Sequence, residues 1–152
     1  MAGFFDSLIN NYREQVERHR QRPLLEASMA ACALTAMADG NVSFPERVRV
    51  DQILETLDAL RVFDPHEGVN LFNEFTEDIR ENSRKGHERA VKVVQSVADD
   101  PEIAELIIRI SLAINEADGE VSLVDQIATV TLCSLLGVDP EQFNLYRPGT
   151  ID

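Results

Sequence analysis

Apolar residues recur along this chain every three to four positions and do not alternate as they would in a strand. Phe5, Leu8, Ile9, Tyr12 and Val16 mark a first amphipathic helix over residues 4–20, which runs into the basic string Arg18-His19-Arg20-Gln21-Arg22. Pro23 is expected to break the chain or to open the next helix. Residues 24–38 are apolar on nearly every face, the pattern of a central buried helix. Val50, Ile53, Leu54 and Leu57 give the following helix a single stripe. Asp64-Pro65-His66-Glu67 then offers an N-cap, a proline for the first helical position and a glutamate for the third. Phe72, Phe75 and Ile79 form the inner face of the helix it opens. A break is expected over 83–86, then a fifth helix carrying Ala90, Val91, Val94 and Val97. Asp99-Asp100-Pro101-Glu102 starts a sixth, residues 121–136 hold a seventh, and Asp139-Pro140-Glu141 opens a last turn containing Phe143. The tail from Arg147 is expected to fray. The pattern predicts an all-α fold of seven to eight helices in one domain, 1–152.

The chain also repeats itself. Sliding it by 79 positions lays Ala38-Asp39-Gly40-Asn41-Val42-Ser43 on Ala117-Asp118-Gly119-Glu120-Val121-Ser122, with five of six residues identical. In both copies an apolar helix enters the loop and an amphipathic helix leaves it. This predicts two pseudo-symmetric helix–loop–helix halves, about 24–64 and 103–140, joined by a helical pair over 65–99. Much of each loop follows from local rules. Gly40 and Gly119 suit the left-handed residue that ends a helix. Ser43-x-x-Glu46 and Ser122-x-x-Asp125 read as capping boxes, and Val42 and Val121 are expected to plug into the core.

Asp39 and Asp118 are not covered by those rules. A carboxylate at the end of a helix faces the negative pole of the macrodipole, which costs about 0.3–1 kcal/mol. Finding it at matching places in both halves points to a cation. Aligning Gly40 with the sixth position of an EF-hand loop places Glu46 at the twelfth, but the first position of the second copy is then Ile114. Calcium takes six to eight oxygens, so a true EF-hand is not expected. Two readings remain. Asp39, Glu46, Asp118 and Asp125 together hold one divalent cation (calcium, magnesium or manganese) between paired loops, or they serve only as caps and turn formers. Pairing requires the loops to lie side by side.

Charge narrows the function classes. There are 14 Lys and Arg against 27 Asp and Glu, a net −13. The charge is graded: residues 1–22 sum to +1, 23–92 to −5 and 93–152 to −9. Nucleic acid is excluded as a general partner, since such binding rests on Lys and Arg at phosphates. The longest uncharged runs, 27–38 and 126–138, are too short for a bilayer span of about 20 residues. No secretory signal is visible, and a cytoplasmic location is expected. Cys32 and Cys133 sit in apolar stretches and read as buried thiols. His19, His66 and His87 lack a partner four residues away and are expected at the surface. No phosphate loop, dinucleotide fingerprint or zinc-protease string occurs, so no enzyme is expected. Arg80, Arg84, Lys85, Arg89 and Lys92 form a basic helix edge. The first helix, with Phe4 and Phe5, is expected to dock on the protein's own core rather than to lie at a membrane surface.

Several strings together resemble the tellurite-resistance TerB family. They are Gly3-Phe4-Phe5-Asp6, Met29-Ala30-Ala31-Cys32-Ala33-Leu34 before Ala38-Asp39-Gly40, Arg61-Val62-Phe63-Asp64, Arg109 to Ala113, Ala117-Asp118-Gly119, and Leu136-Gly137-Val138-Asp139-Pro140-Glu141-Gln142-Phe143. Each is weak alone, and their order over some 140 residues is specific. The resemblance implies a non-enzymatic cytoplasmic component of a tellurite-resistance and stress-response system. It further implies a TerC-type integral membrane protein and other tellurite-resistance proteins as partners, with at most peripheral contact at the inner face of the membrane. It also implies acidic metal-binding positions, which fall here on Asp39, Glu46, Asp118 and Asp125. Asp125 departs from the glutamate more usual at its position, and its shorter reach weakens a bidentate contact. The alternative to a cation-binding adaptor is a purely structural helical interaction module with no metal.

Overall fold

The computed structural model describes residues 2–119 and 121–145. Glu120 of the second loop and the tail beyond Leu145, including the expected fraying from Arg147, lie outside the described residues. Six α-helices follow in order: α1 (Ala2–Ala36), α2 (Phe44–Thr56), α3 (Pro65–Glu81), α4 (Ser83–Gln95), α5 (Pro101–Asn115) and α6 (Leu123–Leu136). Short 3-10 turns at Asp58–Leu60, Glu116–Asp118 and Pro140–Phe143 link or end them. No strand occurs among the described residues. The fold is all-α, with one helix fewer than the pattern predicted.

The missing boundary is at Pro23. The chain stays helical through it, so the segments expected as 4–20 and 24–38 are one helix of 35 residues. A proline inside a helix removes one backbone hydrogen bond and crowds the preceding turn, at a cost of about 3 kcal/mol. Here the ring faces solvent while the flanks are anchored. Leu24 and Leu25 enter the core, Arg18 Nε donates to the Val62 carbonyl at 3.1 Å, and Arg22 Nη1 meets Glu67 Oε2 at 3.3 Å. One lost bond does not release a helix held on both sides of it.

The core is built around the second half of α1. From Leu24 to Ala36 only Glu26 escapes full burial, and the Ala-, Ser- and Cys-rich surface lets other helices approach closely. α3, α4 and α5 pack on it, α2 lies over α3 and α5, and α6 closes on α5, α1 and α4. Phe72, Phe75, Ile107, Ile108, Ile110 and Ile114 fill the space between. The predicted starts hold: Asp64 accepts from the His66 amide, Asp100 from Glu102 and Ile103, and Asp139 from Glu141.

Two further expectations change. The break expected over 83–86 is a single residue, Asn82, whose side chain caps α4 by accepting from the Lys85 amide. Gly86 is therefore a buried helical residue, used because α4 crosses the end of α3 there. Phe4, Phe5, Leu8, Tyr12 and Val16 do not dock on the protein's own core. They are 82%, 64%, 56%, 67% and 47% exposed on the free first half of α1. Before the Arg18–Val62 and Arg22–Glu67 contacts, the first half of α1 leaves its apolar stripe uncovered.

Candidate functional site and family

The two Asp-Gly loops meet. Ser43 Oγ, at the end of the first loop, donates to Asp118 Oδ1 at 2.8 Å, 75 positions away in sequence. Arg49 Nη1 of α2 reaches the Ala113 carbonyl of α5 at 3.0 Å and ties the same two halves together. Locally the loops fold as the residues dictate. Gly40 and Gly119 take φ of 96° and 81°, the left-handed region that side chains disfavour. Both capping boxes are complete: Ser43 accepts from the Glu46 amide and Glu46 from the Ser43 amide, and Ser122 and Asp125 do the same. Asp39 Oδ1 accepts from the Asn41 amide at 3.2 Å, an Asx turn that holds the loop corner. Val42 packs against the core as expected. Val121 does not. It is 42% exposed, so the two loops are not equivalent where they touch.

Glu46 is the unusual residue. Only 5% of it is exposed, yet among the described residues no basic side chain forms an ion pair with it. Arg47 points to Asn73 and Arg49 to Ala113. Burial pushes its carboxyl above the ordinary glutamate range, against the lowering effect of the Ser43 hydrogen bonds, and the charges of Asp118 and Asp39 push it further up. Its position in a capping box was readable from sequence, but its burial was not. Asp125 is only half-buried and engages Ser122 of its own loop. Ser43 thus joins the first loop to Asp118, and the charges of Asp118 and Asp39 act on Glu46, while Asp125 stays at the start of α6. Among the described residues, no group of three or more His, Cys, Asp or Glu side chains stands ready to hold a metal ion.

Two polar residues lie one helical turn before Asp39 and Asp118. Thr35 is fully buried with its hydroxyl unpartnered. Asn115 donates through Nδ2 to Thr129 Oγ1 at 2.7 Å, while its buried Oδ1 has no partner. The latter pair fixes the end of α5 to α6 and so sets the height of the second loop.

The raised carboxyl of Glu46 gives a pH prediction. A higher folded pKa means the folded state holds more protons than the unfolded one. The stability it contributes is present below the unfolded glutamate value and is lost as pH rises through the folded value. Gln at the third position of a capping box preserves the backbone contact without the charge. In chelator, E46Q should therefore melt above the parent at neutral pH, and the gap should close toward about pH 4. Thermal melts across that range check it.

Both thiols are buried as expected. Burial pushes Cys32 up to about 12, and burial, followed by the charge of Asp139, pushes Cys133 up to about 11. The thiolate is the reactive form. Alkylation of the native protein should be slower than that of the urea-unfolded chain by at least about a hundredfold for Cys32, with Cys133 the faster of the two. Peptide mapping after timed iodoacetamide exposure reads this directly.

The histidines are all exposed, and His87 borders a surface groove. On the basic edge, Arg84 pairs with Glu88, while Arg89 pairs with Asp78 and stacks over Phe75 at 5.1 Å. Two of the five basic residues of that edge are thereby paired. Among the described residues, no helix is long and apolar enough to cross a membrane.

Comparison with known proteins agrees with these features. A family model described as "Tellurite resistance protein TerB" matches residues 25–148. A curated protein named "Tellurium resistance protein TerB", from Alcaligenes sp, is 28% identical over 98 residues, covering 64% of this chain and 80% of the relative. No solved structure matches. The match begins where α1 enters the core and takes in both Asp-Gly loops, and on that extent the chain belongs to the TerB family.

Proposed function

We propose that this protein is a non-enzymatic component of a tellurite-resistance and stress-response system whose paired loops take up a divalent cation. The observation that carries the reading is Glu46, a buried carboxylate without a counter-ion, flanked by the charges of Asp118 and Asp39. A buried unpaired charge is costly, and a cation answers it. In the described arrangement the oxygens are spread too widely to form a cage, so an ion would draw Asp39, Glu46 and Asp118 together across the Ser43–Asp118 contact. Asp125 would contribute at the margin. The ion would supply charge neutralisation and loop rigidity, and calcium, magnesium and manganese all accept such oxygen donors. Such a change at the loops is a means of signalling to a TerC-type membrane partner or to other resistance proteins from the cytoplasmic side. Direct capture of the tellurite oxyanion fits poorly with a net charge of −13 and two buried thiols.

A second reading has its own support. Ser43, Glu46, Ser122 and Asp125 are all occupied in capping boxes, and no three-ligand group stands formed among the described residues. On that reading the protein is a helical interaction module without metal. Calorimetric titration of the chelator-treated protein with calcium, magnesium and manganese separates the two. The first reading expects saturable heat with at least one ion, lost in the D39N/D118N double variant. No heat and no melting shift at millimolar metal leaves the structural module.

A further inference from the structure

The uncovered half of α1 sorts its charges about its apolar stripe. At about 100° per residue, Phe4, Phe5, Leu8, Ile9, Tyr12 and Val16 fall within an arc of about 140°. Four arginines stand at the two edges of that arc, Arg13 and Arg20 on one, Arg18 and Arg22 on the other. The three acids of the segment, Asp6, Glu14 and Glu17, lie on the far side, about 130–150° from the middle of the stripe. Arg18 and Arg22 are engaged by the Val62 carbonyl and by Glu67, so their edge is the one tied to the body. Arg13 and Arg20 are exposed, and neither is in an ion pair among the described residues.

We infer that this half of α1 lies along an anionic lipid surface, its stripe in the acyl boundary and Arg13 and Arg20 at the phosphates. The order of the charges selects the occupant. A bilayer is layered: apolar below, anionic at the headgroups, water above. A helix lying in its plane must present apolar, cationic and acidic residues in that order, as this one does. A groove on a protein matches its ligand point by point and imposes no such order. Arginine suits the boundary because its stem rests on apolar surface while its guanidinium reaches a phosphate, which it can meet with two parallel hydrogen bonds. Tyr12, with an apolar ring and a polar tip, belongs at the same depth. No helix among the described residues is long and apolar enough to cross a bilayer, so the contact is along the surface. The body opposes it with −14 over residues 23–152. That charge is screened over about 8 Å at physiological salt, whereas Leu8 lies about 24 Å along α1 from Leu24, where burial begins. The inference stands apart from any cation in the loops.

The test is co-sedimentation of the full chain with phosphatidylcholine–phosphatidylglycerol vesicles and with pure phosphatidylcholine vesicles. Chelator is present, so that no divalent ion bridges the acidic body to the lipid. The parent should bind the mixed vesicles and bind the pure ones more weakly. L8E and N10E add the same charge at exposed positions on opposite faces of the helix, so circular dichroism and melting temperature should stay those of the parent. L8E should lose at least about tenfold in binding, while N10E stays within about fivefold of the parent. R13Q/R20Q should lose roughly twentyfold on the mixed vesicles, about fivefold per arginine, and much less on the pure ones. A parent that binds neither vesicle overturns the inference, as does an L8E variant that binds like the parent. Equal losses in L8E and N10E also overturn it, because charge alone would then decide binding. So does a parent that leaves the vesicles alone and sediments as a Leu8-dependent dimer, which would assign the stripe to a second copy.

Discussion

Replacing Gly86 with alanine should lower stability by about 2–3 kcal/mol, even though alanine is the better helix former by about 1 kcal/mol. A Cβ at Gly86 would sit 2.4 Å from the Ile79 amide nitrogen and 2.5 Å and 2.6 Å from the Asp78 carbonyl carbon and oxygen. These are backbone atoms of α3 and cannot rotate away, so the two helices must separate at their crossing. For a domain of this size the loss amounts to a fall in melting temperature of roughly 5–10 °C. Gly68→Ala is the control. Its Cβ would also be crowded, at 2.4 Å, but by the end of the Leu54 side chain, which can change rotamer. The loss there should be smaller. Equal losses in the two variants would mean that the α3–α4 crossing is not the constraint described here.

A divalent cation that binds only the folded loops should stabilise the protein by about 2.7 kcal/mol at roughly 100 times its dissociation constant. That again is a melting shift of about 5–10 °C. Salt alone also stabilises a chain of net charge −13 by screening, so sodium chloride at matched ionic strength sets the baseline. The D39N/D118N variant should keep its loops, because an asparagine oxygen can still accept from the Asn41 amide and from the Ser43 hydroxyl. It should lose the metal-specific increment and retain the salt increment. A double variant that responds to calcium, magnesium and manganese as the parent does would reduce these carboxylates to surface charge.

The sequence by itself determined whatever depends on a few neighbouring residues. The starts at Asp64, Asp100 and Asp139, both capping boxes and the left-handed glycines at 40 and 119 each satisfy an orphan backbone group within one helical turn. The 79-residue repeat carried the same loop chemistry to a second place in the chain, and Ser43 of one loop meets Asp118 of the other. The tertiary structure decided what depends on distant partners. Pro23 reads as a break locally, but Val62 and Glu67 hold the helix on one side of it and the core on the other. Gly86 reads as a turn residue, but the backbone of Asp78 and Ile79 lies where its side chain would be. The apolar stripe from Phe4 to Val16 reads as core, and only its exposure in the folded chain shows that nothing covers it. Glu46 reads as a capping residue; that it is also buried without a counter-ion follows from the packing of α2 beside the second loop, and local pattern carries no information about that distance.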